Sequence, residues 1–337
     1  MLMIEEIEAA CEANEVLELS RHDVEAPPLP FHATFYPYGF PAEVRTNAQS
    51  VLRQYEALWG EFEKQHDSDP IEVEVLLVET TATECPPEPT CRIMQPLVIN
   101  VADANNYSVV DLDRCRVRMT ISRAALRHPL YAQYFILGAA GVMSAIATRY
   151  ATPVHAGCVA LDGRGVLLCG DSGAGKSTLS YACARAGWTY TSDDGSFLLN
   201  GGSKRIVTGN CYQVRFRPTA AQLFPELEGL EITPRAAGKP SIELQTAPMK
   251  YVKRAQTTRV DFIVFLNRRK SLPPQLVPYR RDVARHFMRQ MLYGSAESLS
   301  VQYAAIDRLL VAPIFELQYS DVNWAVDRLR KLVDEGQ

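Results

Sequence analysis

"LLCGDSGAGKSTLS", residues 167–180, is a glycine-rich segment between an apolar, strand-like run and a helix-like run. It fills the pattern G-x-x-x-x-G-K-[ST] with Gly170, Gly175, Lys176 and Ser177. Glycines let the backbone turn sharply and aim several N–H groups at phosphate oxygens, and the following helix adds the positive end of its dipole. In this pattern the lysine reaches the β- and γ-phosphates and the hydroxyl binds Mg²⁺. The segment therefore predicts a loop that holds a nucleoside triphosphate.

The residues on either side of this loop support the same interpretation. The apolar run "VLLC" (166–169) precedes it, and "LSYACARAG" (179–187) predicts an amphipathic helix from about Lys176 to Ala186. A glycine turn with only a structural role is the alternative. The residues predicted to contact the nucleotide are Gly170, Asp171, Ser172, Gly173, Ala174, Gly175, Lys176, Ser177 and Thr178.

An acidic pair follows the predicted helix. Asp193 and Asp194 lie 17 and 18 positions after Lys176, a spacing that suits a strand running beside the loop strand. Adjacent strand residues point to opposite faces, but at a strand end one carboxylate can contact a metal while the other reaches the acceptor. An Asp-Asp-Gly turn without chemistry is the alternative. His155 lies 21 positions before Lys176, and its spacing alone indicates only a half-buried histidine.

The pattern around the loop predicts an α/β domain over residues 151–337. A hairpin turns at Asp162-Gly163, a buried strand covers 260–267, a basic helix covers about 280–293, and a strand and a helix close the chain. Residues 1–150 are predicted to form a smaller α+β domain. Their sequence carries no chemical signature, so their role is left open.

Composition excludes two classes of partner. The 337 residues carry 35 Lys and Arg against 39 Asp and Glu, a net charge of −4, which argues against a nucleic-acid binder. The longest apolar run, 134–147, is too short to span a bilayer and predicts a core helix. Residues 1–30 are acidic and 250–290 are basic, which indicates either solvated faces or a docking surface. We expect a soluble, cytoplasmic protein with reduced cysteines.

The run "HAGCVALDGRGVLLCGDSGAGKSTLSYACARAGWTYTSDD" (155–194) resembles the catalytic core of the HPr kinase/phosphorylase family. The family pattern has a histidine before the loop, the loop itself and an Asp-Asp pair after the helix, and all three match with their spacings. Those enzymes use ATP and Mg²⁺ to phosphorylate a serine of a small carrier protein. The resemblance implies a P-loop domain of the HPr kinase/phosphoenolpyruvate carboxykinase type on a mixed sheet, and a homo-oligomer.

The resemblance also implies a role for each matching residue. His155 corresponds to an active-site histidine, and Lys176 to the lysine that binds phosphate. Ser177 corresponds to a Mg²⁺ ligand, and Asp193 lies near that metal. Asp194 corresponds to the general base that takes the proton of the acceptor hydroxyl, since a carboxylate within hydrogen-bond reach can orient the hydroxyl for in-line attack.

Two departures limit the resemblance. Thr178 stands where bacterial HPr kinases carry an acidic residue, and "YQVRFRP" (212–218) places Gln213 where the family has a metal-binding glutamate, with Arg215 two positions later. The resemblance therefore does not extend to phosphorolysis or to HPr as substrate. We predict a kinase that transfers the γ-phosphate of ATP to a hydroxyl, Ser or Thr of a protein or peptide. The alternatives are a nucleotide-binding regulator that transfers nothing and a kinase of a small metabolite.

Three basic residues are further candidates for phosphate chemistry. Lys239 lies on a Gly-Lys-Pro turn, and Arg268 and Arg269 come just after the predicted buried strand. The ends of strands in open α/β sheets are where ligands bind. Each of these residues is therefore a candidate to neutralise phosphoryl charge, with solvated surface charge as the alternative.

Overall fold

The chain divides into two units. The computed structural model describes residues 4–13, 15, 27–133, 138, 141–233, 240–269 and 273–336. The first unit comprises 1–149 with 235–238 and 294–298, and the second comprises 150–234, 239–293 and 299–337. No helix in the described ranges is long and apolar enough to cross a membrane.

The first unit is built on a seven-stranded mixed sheet in the order β1-β2-β3-β7-β6-β5-β4. Its strands are β1 Phe31–Phe35, β2 Ala42–Thr46, β3 Ile71–Val78, β4 Thr90–Met94, β5 Leu97–Asp103, β6 Asn106–Asp111 and β7 Arg116–Ser122. Its helices are α1 Ile4–Ala13, α2 Gln49–Trp59, α3 Arg123–Leu126, α4 Pro129–Tyr131 and α5 Met143–Arg149. Helix α2 buries Val51, Tyr55 and Trp59 and packs on β1 and β2. The helical spacing of its apolar residues accounts for this single buried face.

The second unit contains the phosphate-loop sequence. Its strands are β8 Ala151–Val154, β9 Ala156–Leu161, β10 Arg164–Cys169, β11 Thr189–Ser192, β12 Ser196–Leu199, β13 Ile206–Gly209, β14 Gln213–Phe216, β15 Ile242–Gln245, β16 Lys253–Arg254, β17 Thr257–Arg268, β18 Gln275–Pro278 and β19 Ile314–Tyr319. Its helices are α6 Lys176–Arg185, α7 Arg281–Arg289, α8 Ala296–Leu309, which belongs to this unit from Leu299 onwards, and α9 Val322–Glu335. The chain is thus a mixed α/β protein.

Ten strands of this unit form one mixed sheet with helices on both faces. The order is β16-β11-β9-β10-β17-β13-β12-β8, and β19 pairs with both β17 and β18. Strand β10 is parallel to β17 and antiparallel to β9. One apolar cluster joins Val264 of β17 to Leu179 of α6 and Leu329 of α9, and another joins Ile263 to Met288 of α7 and Ile306 of α8. Strands β14 and β15 pair separately.

Several local predictions are confirmed. The β9–β10 hairpin turns at Asp162 and Gly163, both with positive φ, as an Asp-Gly turn between two strands requires. The loop helix is α6, and the buried strand at 260–267 lies within β17. The predicted closing helix is α9, and Asp321 caps it by accepting a hydrogen bond from the Trp324 N–H at 2.7 Å.

One strand placement is wrong. The strand that leads to the acidic pair, β11, does not run beside β10, because it pairs with β9, which separates the two. A spacing of 17 or 18 residues is long enough to cross one intervening strand, so the spacing alone does not choose between the two arrangements. Of the predicted core helix at 134–147, residues 134–137, 139 and 140 lie outside the described residues, as do 16–26 of the acidic segment and Lys239.

Candidate active site

The glycine loop connects the end of β10 to the start of α6. Strand β10 ends at the fully buried Cys169, and α6 begins at Lys176, with Gly175 as its N-cap. Gly175 has φ +101°, and a Cβ atom there would lie 2.8 Å from the Tyr319 hydroxyl. Both the backbone conformation and the close approach exclude a side chain at this position. The loop therefore has the strand–turn–helix setting that a phosphate-binding loop needs.

Lys176 is only 3% exposed, and three oxygen atoms lie within hydrogen-bond or ion-pair distance of its ammonium group. Its Nζ donates to the carbonyls of Gly170 at 2.6 Å and Asp171 at 3.1 Å, and it lies 3.0 Å from Oδ1 of Asp194. A buried ammonium group needs such partners, because leaving it unpaired away from water is costly. The predicted phosphate-binding lysine and the predicted general base are thus in direct contact.

His155 completes this group. It lies between β8 and β9, and its Nε2 lies 3.1 Å from the same Asp194 oxygen that contacts Lys176. Partial burial acts to raise the pKa of Asp194, but the His155 hydrogen bond and the Lys176 charge together lower it to about 2. The carboxylate of Asp194 is therefore ionised at neutral pH and fixed from two sides.

Asp193 has different surroundings from its neighbour. Its Oδ2 accepts a hydrogen bond from the Arg215 backbone N–H at 2.9 Å, and the Ser177 hydroxyl is close enough to act on the pKa of its carboxyl group. Removal from water raises the pKa of Asp193, and the charge of Asp194 acts in the same direction. A desolvated carboxylate beside a second one is stabilised by a cation. In the described part of the chain no group of three or more His, Cys, Asp and Glu side chains could hold a metal ion without further ligands.

The turn that carries the acidic pair is fixed by small residues beneath it. The hydroxyls of Ser192 and Ser196 lie 2.7 Å apart, and Ser196 donates to the carbonyl of Ala156 at 3.0 Å. At Gly157, a Cβ atom would lie 2.7 Å from the Asp193 carbonyl and 2.5 Å from the Ser180 hydroxyl. The glycine therefore lets β9 approach the acidic turn and α6 together.

The structure places the predicted site residues in two adjoining groups. One contains His155, Lys176 and Asp194, and the other contains Ser177 and Asp193. The remaining loop residues, 170–175 and Thr178, lie between β10 and the first turn of α6. The roles assigned to these residues stay predictions.

Two residues at the site, Glu243 and Tyr319, carried no recognisable signal in the sequence, and the contact that Arg215 makes was not predicted. Arg215 contacts Asp193 through its backbone, which no side-chain pattern reveals. Its Nε donates to Glu243 at 3.0 Å, and Gln213 donates to the same carboxylate at 2.6 Å. Tyr319, whose hydroxyl donates to the Ala174 carbonyl at 3.4 Å, comes from a strand 145 residues away. Its contact depends on the pairing of β17 with β19, which the sequence does not specify.

Comparison with known proteins gives a weak likeness to a solved structure. No protein-family model matches the chain, and no curated protein matches it either. Among solved structures, the chain is similar to the Hpr(Ser) kinase/phosphatase from Coxiella burnetii at 15% identity and a TM-score of 0.31. The match covers 55% of this chain and 99% of that one. Neither fold nor activity follows from a likeness of that extent.

Proposed function

We propose that the protein is an ATP- and Mg²⁺-dependent phosphotransferase that passes the γ-phosphate to a hydroxyl, that of Ser or Thr in a protein or peptide. The observation that carries the proposal is the shared contact of Asp194, whose Oδ1 lies 3.0 Å from Lys176 and 3.1 Å from His155. A lysine in this loop pattern binds the transferred phosphate, so a carboxylate beside it lies where the attacking hydroxyl must be oriented.

The reaction uses Asp194 as the proton acceptor. The acceptor oxygen forms a bond to the γ-phosphorus, the bond from that phosphorus to the β–γ bridging oxygen breaks, and ADP leaves with the electron pair. The hydroxyl proton passes to Asp194. When Lys176 turns to the phosphate, Asp194 loses a cationic partner and gains an anionic neighbour, and both changes raise its pKa from about 2 towards a more useful range for a base.

The residues present fit a magnesium ion at the nucleotide. Mg²⁺ is usually bound by one or two carboxylates together with substrate phosphates, and not by a cage made only of protein groups. Burial raises the pKa of Asp193 and the nearby Ser177 hydroxyl acts to lower it, so a cation held by these two residues would stabilise the ionised carboxylate. These two residues would hold the ion, which neutralises charge on the β- and γ-phosphates when bound.

A nucleotide-binding regulator that transfers nothing is the second candidate. It is favoured by Gln213, which supplies no carboxylate to the site and whose amide is hydrogen-bonded to Glu243 at 2.6 Å. A site with fewer anionic ligands holds its metal less firmly. His155 and Asp194 favour the kinase, because a regulator needs no base beside the γ-phosphate.

The test follows the label from γ-labelled ATP and Mg²⁺ into a size-fractionated lysate of the source cells. Wild type, Lys176→Ala and Asp194→Asn are compared. We expect label in a protein or peptide fraction with wild type only. Lys176→Ala loses nucleotide binding, while Asp194→Asn keeps binding and slows transfer by about 10² to 10⁴-fold, the usual contribution of a general base.

Three results would decide against parts of the proposal. Transfer by Asp194→Asn at the wild-type rate would rule out Asp194 as the base. Label found only in small molecules would replace the protein acceptor with a metabolite. Tight ATP binding by wild type with no labelled fraction would favour the regulator.

A further inference from the structure

Two consecutive arginines at the end of β17 differ in their surroundings. Arg269 lies just past the strand and its Nε donates to Oδ1 of Asn267 at 2.8 Å, while Asn267 in turn donates to Glu316 at 2.8 Å. Arg268 is exposed, and in the described part of the chain its guanidinium has no hydrogen-bond or ion-pair partner. Arg269 is thus engaged in a network, and Arg268 is available for a ligand.

The alternation of β17 places Arg268 on the face of the sheet that carries α6. Phe262, Val264 and Leu266 belong to the same apolar cluster as Leu179 of α6, so the even-numbered side chains share that face. Arg268 is also the register partner of Tyr319 on the parallel strand β19. The pKa of Tyr319 is raised to about 12 by burial, with the positive charge of Arg268 acting in the opposite direction, as a nearby cation does.

The register also places Arg268 at the height of the glycine loop. Cys169, the last residue of β10, pairs with Phe265, so Arg268 lies three residues further along β17. At about 3.3 Å per residue, that is roughly 10 Å beyond the end of β10. Tyr319, beside Arg268, contacts the loop at the Ala174 carbonyl. Arg268 therefore stands at the end of the loop that leads into α6.

The strand order separates Arg268 from the groups that act on the γ-phosphate. Strand β9, which begins next to His155, and β11, which ends two residues before Asp194, lie on one side of β10, whereas the end of β17 and β19 lie on the other. Strands β8 and β12 also adjoin these two residues, but they join the sheet through β13, which pairs with 257–259 at the start of β17, away from Arg268. A triphosphate with its γ-phosphate at Asp194 directs its remaining phosphates away from that side. An unpaired guanidinium there can bind phosphate oxygens through two parallel hydrogen bonds.

We infer that Arg268 binds the α- or β-phosphate of the nucleotide, the phosphates that are not transferred, and so sets nucleotide affinity and not the rate of the chemical step. The inference rests on the proposed function only for the presence of a nucleotide in the loop. It assigns opposite behaviour to two adjacent arginines, which makes Arg269 the matched control.

The experiment measures the dissociation constants of Mg-ATP and Mg-ADP for wild type, Arg268→Ala, Arg268→Lys and Arg269→Ala. We expect Arg268→Ala to weaken both nucleotides by the same factor, roughly tenfold or more, because a hydrogen-bonded charge is lost. Arg268→Lys falls between wild type and Arg268→Ala, and Arg269→Ala stays within about twofold of wild type. In labelled-phosphate transfer, Arg268→Ala raises KM for ATP and keeps kcat, the signature of uniform binding.

The outcomes separate this inference from the proposed function. Equal affinities for Arg268→Ala and Arg269→Ala would overturn it, as would a loss confined to ATP, since ADP retains the α- and β-phosphates. A lower kcat at unchanged KM would also overturn it. If wild type binds both nucleotides but transfers no phosphate, the proposed kinase activity is ruled out. The affinities of the Arg268 and Arg269 variants then still test whether Arg268 binds the nucleotide. If wild type binds neither nucleotide, both proposals are overturned.

Discussion

At the scale of single residues, the contact between Lys176 and Asp194 has two consequences. It balances the charge of a buried ammonium group, and it keeps the carboxylate ionised by lowering its pKa from 3.8 to about 2. Because Asp194 binds protons less readily in the folded chain than in the unfolded chain, its contribution to stability is complete above about pH 5. That contribution is lost as the pH falls towards 2.

The pH dependence of stability tests this contact. Asp194→Asn removes the carboxylate charge, so we expect a free energy of unfolding lower by about 1 kcal/mol at pH 7, a modest value because Asp194 is 56% exposed and solvent screens the pair. The difference from wild type should shrink by about half at pH 3, midway between the two pKa values. Urea unfolding at pH 7, 5 and 3 measures it. A difference that stays constant over this range would contradict the assignment.

At the scale of secondary structure, the site depends on where β9 approaches α6 and the acidic turn. Gly157 allows that approach, since an added Cβ would meet the Asp193 carbonyl and the Ser180 hydroxyl at 2.7 and 2.5 Å. Gly195, next to the acidic pair, has open space around its own Cβ position and an ordinary φ. The two glycines therefore respond differently to the same added methyl group.

We predict that Gly157→Ala lowers the free energy of unfolding by about 1–3 kcal/mol, the usual cost of overpacking, and also weakens the effect of Mg²⁺ on nucleotide affinity because Asp193 is displaced. Gly195→Ala should be neutral or more stable by about 0.4–1 kcal/mol, because alanine restricts the unfolded chain. Thermal unfolding and nucleotide titrations with and without Mg²⁺ measure both effects. If the two variants lost stability equally, close packing at Gly157 would not be the cause.

Local signals account for the elements that the sequence predicts correctly. The Asp162-Gly163 turn fixes the β9–β10 hairpin, and the glycine loop with its lysine fixes the start of α6. The pairing of β11 with β9 was not predictable, because strand neighbours far apart in sequence are chosen by tertiary packing. The hydrogen bond from the Arg215 backbone N–H to Asp193 could not be predicted either, because it also depends on tertiary packing between segments distant in sequence.

At the scale of the whole molecule, all the residues proposed to act on the nucleotide belong to the second unit. The parallel strands β10 and β17 at the centre of its sheet lead to the loop and to Arg268, while β11, on the far side of β9, leads to the acidic pair. A ligand that binds the folded state stabilises it by mass action, by about 2.7 kcal/mol at 100 times its dissociation constant. We expect the segments that contact the nucleotide to be protected from local opening more than the rest of the chain.

Hydrogen exchange with and without Mg-ATP tests this distribution. We expect slower exchange over residues 170–180 and 189–196 and at the end of β17, and no change over β3 in the first unit. The physical reason is that exchange reports local opening, which a ligand suppresses in the segments it binds. Protection centred on the first-unit sheet would instead place the nucleotide elsewhere.

The last residue of β10 offers a chemical consequence of this arrangement. Burial raises the pKa of the Cys169 thiol to about 12, with the Lys176 charge acting in the opposite direction, whereas Cys85 and Cys91 are exposed. Since alkylating reagents attack accessible thiolates, iodoacetamide will modify the two exposed cysteines first and Cys169 only when the end of β10 opens. The rate at which Cys169 is carboxamidomethylated therefore reports how often the end of β10, which leads into the phosphate loop, opens to solvent. A nucleotide bound in the loop will lower that rate.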